Sequence, residues 1–321
     1  MTYRFSVNNA YISTRMGPDP LFDMKTLMVA HGWTVARSNN GATAGAADNI
    51  TTSADLESQF SWMVLHHGVS GREWLFGMDA DVTFNEWYVG YSAVAGFTGG
   101  STTVMPTATD ESAVGNPLAS TPRDLFPLSD SYCHMMVDDA SSMFYMLTVL
   151  QSNHLVTGCI AGDVVTQAHA SDVDKYVALA HHESSSTGAF SGTNGPWGSG
   201  TSLNFSRGWY NHPTGSAERM YALGLCTSMN YLAAPASTVT GAGVSPYDGN
   251  DQTFPVIWGR TSNFSAPTGI KGFSSLFRNV STQRGRCDLL TVGADRQIMT
   301  GTVLGAERNV SLPWHPTTIP L

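Results

Sequence analysis

Between Trp33 and Phe97 the chain sets down four short runs, WTVARS, FSWMVLHH, REWLFGMD and EWYVGYSAVAGF, each rich in aromatic and β-branched residues. Runs of this length and composition, separated by turn formers, read as strands. HGVSG, at 67 to 71, has the length and the glycines of a hairpin loop. The spacing therefore predicts a meander of antiparallel strands over 33–98. The pattern returns at SYCHMMVDD, MFYMLTVLQ and LVTGCIAGDVV, with DASS and SNH as turns, giving a second meander near 131–165. DKYVALAHH reads as one more strand, with an apolar spacing that also fits a short helix.

One early segment breaks this rhythm. In DPLFDMKTLMVAHGW, Leu21, Met24, Leu27 and Met28 recur at three- and four-residue spacing, Pro20 suits a helix start and Gly32 suits its close. The fold class expected is mainly β, built from antiparallel meanders in a sandwich- or barrel-like arrangement with one short N-terminal α-helix; α+β is the alternative. Residues 1–182 form the expected β-rich main unit. At 183–202 the composition turns to Gly, Ser and Thr, so 183–250 reads as a loop or insertion on the surface. Within it, GSAERMYALGLCTSMNYLAAPA fits either a short helix or a strand pair. Residues 251–321, with TFPVIWGR, IKGFSSLFRNV, CDLLTVG and RQIMTGTVLG, read as strands and bends that complete the β unit before a proline-rich tail.

Charge narrows the function classes. Only 13% of residues are charged, 16 basic against 25 acidic, for a net charge of −9. With three lysines, Lys25, Lys175 and Lys271, and no basic cluster, the chain lacks a patch for neutralising phosphates, so nucleic acid is not an expected partner. No run of eighteen apolar residues is present, and membrane insertion by a helix is not expected. The start MTYRFSVNNAYISTR has no basic segment followed by an apolar block, so no signal peptide is expected. Cys133, Cys159, Cys226 and Cys287 lie far apart without CxxC spacing, which fits reduced, buried thiols in a cytosolic setting.

Ten histidines invite a metal reading. His66-His67 and His181-His182, with Asp138-Asp139, are the sharpest metal-like features. Neighbours on a strand face opposite ways, however, and there is no HExxH or facial-triad pattern. The expectation is no metal and no cofactor. Cys133 beside His134 is no nucleophile–base pair for the same geometric reason, and no GxSxG elbow occurs. Gly99-Gly100 opens no phosphate loop and reads as a place for positive φ or a bulge at a strand end. A carboxylate pair for glycoside cleavage stays open, with Asp110-Glu111 after a turn and Trp62, Trp74, Trp87, Trp197, Trp209 and Trp258 able to stack on sugars. No catalytic residue is assigned, and an enzyme is not expected.

Residues 31–111 carry HGWTVARSNNGATAGAADNI, then SWMVLHH and GREWLFGMD, then YSAVAGFTGG and PTATDE. In that order they resemble a group of virion structural proteins of tailed bacteriophages, and the likeness covers about a quarter of the chain, extending more loosely through 131–182 and SLPWHP. The resemblance implies a multi-copy virion component, in the tail or baseplate first and in the neck or head-tail connection second, assembled in the host cytoplasm. Its partners would be copies of itself and other virion proteins. A surface rich in Ser, Thr, Gly, Met and aromatics and poor in Lys and Glu agrees with subunit contacts. The reading from a different class is a tail-associated protein that binds or cleaves a host glycan, served by the Gly/Ser/Trp stretch at 183–212.

Overall fold

The fold is that of a computed structural model. It describes residues 4–11, 17–58, 60–68, 71, 73–78, 87–91, 96–108, 130–138, 143–150, 156–163, 166–167, 176–182, 208–211, 217–224, 253–261, 267–279, 289–292, 295–299 and 310–313. In chain order come β1 (Arg4–Tyr11), helix α1 (Pro18–Ala30), β2 (Trp33–Asn39), β3 (Ala44–Gly45), a 3₁₀ turn (Ser53–Leu56), β4 (Trp62–His67), β5 (Glu73–Met78) and β6 (Trp87–Tyr91). They are followed by β7 (Phe97–Thr98), β8 (Thr107–Ala108), β9 (Ser131–Asp138), β10 (Met143–Leu150), β11 (Val156–Asp163), β12 (Thr166–Gln167) and β13 (Tyr176–His182). The last strands are β14 (Gly208–Asn211), β15 (Ala217–Gly224), β16 (Thr253–Thr261), β17 (Pro267–Asn279), β18 (Leu289–Val292), β19 (Asp295–Met299) and β20 (Val310–Pro313). Among the described residues α1 is the one α-helix, and every strand pairing is antiparallel. The described residues are thus mainly β, with one N-terminal helix.

The first sheet, ordered β3-β2-β4-β5-β6, is the meander expected over 33–98. EWYVGYSAVAGF, read as one run, supplies two separate strands, β6 and β7. Gly71, at φ 69°, donates its backbone N–H to the His67 carbonyl at 2.9 Å in the connection between β4 and β5. The second sheet, β1-β9-β10-β11-β13, contains the second meander, and DKYVALAHH joins it as strand β13. Strand β1 was not foreseen; it pairs along its whole length with β9, from Arg4 opposite Asp138 to Tyr11 opposite Ser131. The third sheet runs β14-β15-β16-β17-β20-β19-β18, with β12 beside β17. Strands β14 and β15 fall inside 183–250, and β15 pairs with β16, so AERMYALG, Ala217–Gly224, is strand. The Gly/Ser-rich stretch 183–207 lies outside the described residues.

Helix α1 begins after Gly17, whose φ of 110° turns the chain in, and Gly32 at φ 89° takes it out. Leu21, Met24 and Met28 are fully buried and Leu27 nearly so, as their spacing requires. The helix lies against β1, β2, β9 and the 3₁₀ turn. Its one surprise is Lys25, which is buried on the apolar side. The Lys25 ammonium donates to the Ile50 carbonyl and ion-pairs with Asp48 at 2.5 Å, so the buried charge is partnered. Ser38 ties down the same loop: its hydroxyl accepts from the Asn49 N–H at 2.7 Å and donates to the Ala47 carbonyl at 3.0 Å.

Around Trp33 and around Trp62 the first sheet is covered on both faces, and a bulge in β2 decides what goes where. Trp33 and Val35 stand opposite His67 and Leu65, but Arg37 stands opposite Val64, with a register shift between Val35 and Arg37. One extra residue reverses the side on which the following side chains emerge. Arg37 and Asn39 therefore join Trp62, Val64 and Leu75 on one face instead of following Trp33 onto the other. On the Trp33 face, Trp74 and Phe76 meet Phe144 of β10, with ring centroids 4.6 and 5.5 Å from it; Trp33 lies 6.1 Å away, nearly perpendicular. Phe144 shares its side of the second sheet with Val137, its pairing partner, and with Met135 and Met146. All of these side chains are essentially fully buried.

Candidate functional site

Among the described residues, those that sequence reading singled out for chemistry are not brought together. His67 is buried with its ring edge-on to Trp33 at 4.8 Å, while His66, the next residue on β4, is half-buried and emerges on the opposite face. Cys133 is buried on the inner side of β9 and forms no disulfide, and His134 emerges on the other side. Burial holds the His134 imidazole at a pKa of about 4, below the ordinary 6.5, so it is neutral near pH 7. His181 and His182 lie in β13, opposite Gly158 and Thr157. Asp138 ends β9, and Asp139 lies outside the described residues. Among the described residues no three His, Cys, Asp or Glu side chains are placed to hold a metal ion.

Of the tryptophans considered as sugar platforms, Trp62 and Trp74 are only 1% exposed and have no ring face to offer. Trp87, Trp209 and Trp258 lie in β6, β14 and β16. Trp197, Asp110 and Glu111 lie outside the described residues.

What the geometry does assemble is a strap across the Arg37 face of the first sheet, formed by residues 96–108. Its two short strands pair with each other, Phe97 opposite Ala108 and Thr98 opposite Thr107. The turn between them is closed by the Ser101 N–H donating to the Val104 carbonyl at 2.8 Å. Gly99 and Gly100 take φ values of 69° and 92°, the positive-φ use expected of the pair. Beneath the strap Phe97 and Met105 pack with Trp62, Val64, Leu75, Ala36 and Ala44.

Four polar anchors hold the strap. The Trp62 indole N–H donates to the Ser101 carbonyl at 3.1 Å, and the Asn39 side-chain amide donates to the same oxygen at 3.1 Å. The Arg37 guanidinium donates to the Gly99 carbonyl at 3.3 Å. The Glu73 carboxylate accepts the Phe97 backbone N–H at 2.7 Å and lies 3.7 Å from Arg37. Each anchor gives a main-chain group of the strap the partner it would otherwise find in water. Glycine makes the close approach possible. A Cβ on Gly100 would come within 2.6 Å of the Trp62 ring, and one on Gly96 within 2.3 Å of the Glu73 carboxylate.

Sequence reading did not identify Arg37, Asn39, Glu73 or Ser101 as a set. A signal was present, since Arg37 and Glu73 are charges inside otherwise apolar strand runs, where an unpaired charge is costly. Chemically the arrangement fixes backbone. Its carboxylate and guanidinium are engaged with each other and with main-chain groups, and no nucleophile adjoins them among the described anchors. No protein-family model matches this chain, and no curated protein matches it.

Proposed function

We propose that the chain is a structural subunit of a tailed-phage virion, present in many copies in the tail or baseplate, and that it is not an enzyme. The observation that carries this reading is the ordered series of segments from HGWTVARSNNGATAGAADNI to FTGG and PTATDE, which resembles that group of virion proteins. The fold gives the series a physical sense. Trp33, Arg37, Asn39, Trp62, Glu73, Trp74, Phe97 and Gly100 are spent on holding one another in place. That is the economy of a rigid building block. We further propose that the first two sheets stack face to face as a sandwich, with the Phe144 cluster at the centre of the stack.

Light scattering of the purified chain with negative-stain imaging, at two salt concentrations, tests the assembly reading. The expected outcome is a closed ring, or a monomer that assembles only on adding other virion proteins. A salt-independent monomer that binds or hydrolyses a host polysaccharide would overturn it.

A further inference from the structure

We infer that the 96–108 hairpin is a strap that opens and closes over the first sheet as one unit while the sheet beneath stays folded; this stands whether or not the chain belongs to a virion. Three observations carry it. First, the only strand ladder in the hairpin is its own β7–β8 pairing; among the described residues no ladder joins it to β2, β4 or β5. Lifting it breaks no pairing within the sheet.

Second, beside the small apolar contact of Phe97 and Met105, its polar holders are discrete and gather mostly at its tight turn. Three of the four anchors are side-chain N–H groups of the sheet reaching the Gly99 and Ser101 carbonyls, and the fourth is the Glu73 carboxylate at the entrance beside Gly96. Third, the surface differs sharply across the turn. Phe97 and Pro106 at the base are buried, whereas Val104 at the tip is 57% exposed. Segments held by few contacts, with solvent on one side, open at lower free energy than the core they cover. Opening would bare the Trp62 indole together with Val64 and Leu75.

Native-state hydrogen exchange of the full chain, read peptide by peptide at increasing urea below the unfolding transition, tests the unit. Strap amides are expected to exchange through an opening that depends weakly on urea, while β4 and β5 amides exchange only with global unfolding. Arg37→Ala is expected to raise strap exchange about tenfold with β4 and β5 unchanged. Trp62→Phe, which deletes the indole donor and keeps an aromatic ring, is the second variant and is expected to act in the same direction. Strap amides that exchange together with β4 in the parent chain would overturn the inference. So would a pair of variants in which strap and sheet accelerate equally, or in which neither changes.

Discussion

The two faces of the first sheet are each covered at their centres, around Trp33 and around Trp62, yet they are covered by different physics. On the Trp33 face, rings from β2 and β5 meet Phe144 of another sheet at angles between 56° and 86°, and the contact is apolar. On the Arg37 face a local hairpin is held by donors aimed at its main-chain carbonyls around a small apolar patch. An apolar contact between distant segments fails gradually as volume is removed, because its energy scales with buried area and cavity size. An anchored hairpin fails in steps, because each lost partner leaves a polar group unsatisfied.

The largest way to break the contrast is Phe144→Ala. Removing a fully buried ring at the meeting of two sheets is expected to cost about 3–5 kcal/mol, read as a drop in the urea midpoint. Phe144→Leu should recover more than half of that loss, as a volume-governed contact requires. Next comes Gly100→Ala on the opposite face. It adds a Cβ within 2.6 Å of the Trp62 ring at a φ of 92°, and is expected to cost about 2–3 kcal/mol. Here a larger residue hurts, the reverse of the Phe144 site, and thermal unfolding of the two variants side by side would show the opposite dependence on volume.

Acid should distinguish regions of the chain by pH window. The His134 pKa is lowered in the fold, so the unfolded chain binds its proton first, and stability falls as pH drops from about 6.5 toward 4. The shift taken whole corresponds to about 3 kcal/mol, and the ring's remaining exposure brings the expectation to about 1–2 kcal/mol. His134→Gln should flatten unfolding midpoints measured between pH 7 and 4.5. The smallest effect is at the 3₁₀ turn. Burial raises the Asp55 pKa, but hydrogen bonds from the backbone and hydroxyls of Thr52 and Thr51 outweigh it and leave it below 3.8. Its contribution is present above that value and lost as pH falls through the lowered pKa. Asp55→Asn is expected to cost about 1 kcal/mol at neutral pH and to remove the acid dependence below pH 4, as melting curves would record.

How far the sequence announced this molecule depends on how local each cause is. Helix α1 was legible because its spacing and its glycine exit are written within fifteen residues, and both meanders were legible because aromatic runs between turns say strand wherever they occur. Strand β1 was not. RFSVNNAY carries Asn8 and Asn9 in mid-run and gains its identity from pairing with β9, more than a hundred residues away. The same distance hid the role of Phe144, which looks like any strand aromatic until the sheets meet. Lys25 was invisible for a related reason: its partners, Asp48 and the Ile50 carbonyl, come from a loop whose path no periodicity records. The Gly99-Gly100 pair was read correctly as a place for positive φ, since that follows from glycine alone. The anchors that meet the pair are spread over Arg37, Asn39, Trp62 and Glu73, and only the folded sheet gathers them.

The extra residue in β2 makes this strand a counting device. Where a loop grows or shrinks by a residue, the chain absorbs the change at its surface. Pairing Ala36 straight with Val64 would send Arg37 and Asn39 to the ring-lined side, stripping the hairpin of two of its holders, whereas deleting Ala36 would remove the bulge and leave both residues opposite Val64 and Trp62 on the face they now occupy. Length variation among chains that share this architecture should therefore be confined within 33–39 to loss of the bulge residue, and tolerated around 42–47. A library of single-residue insertions and deletions, scored for folding, would draw that boundary directly.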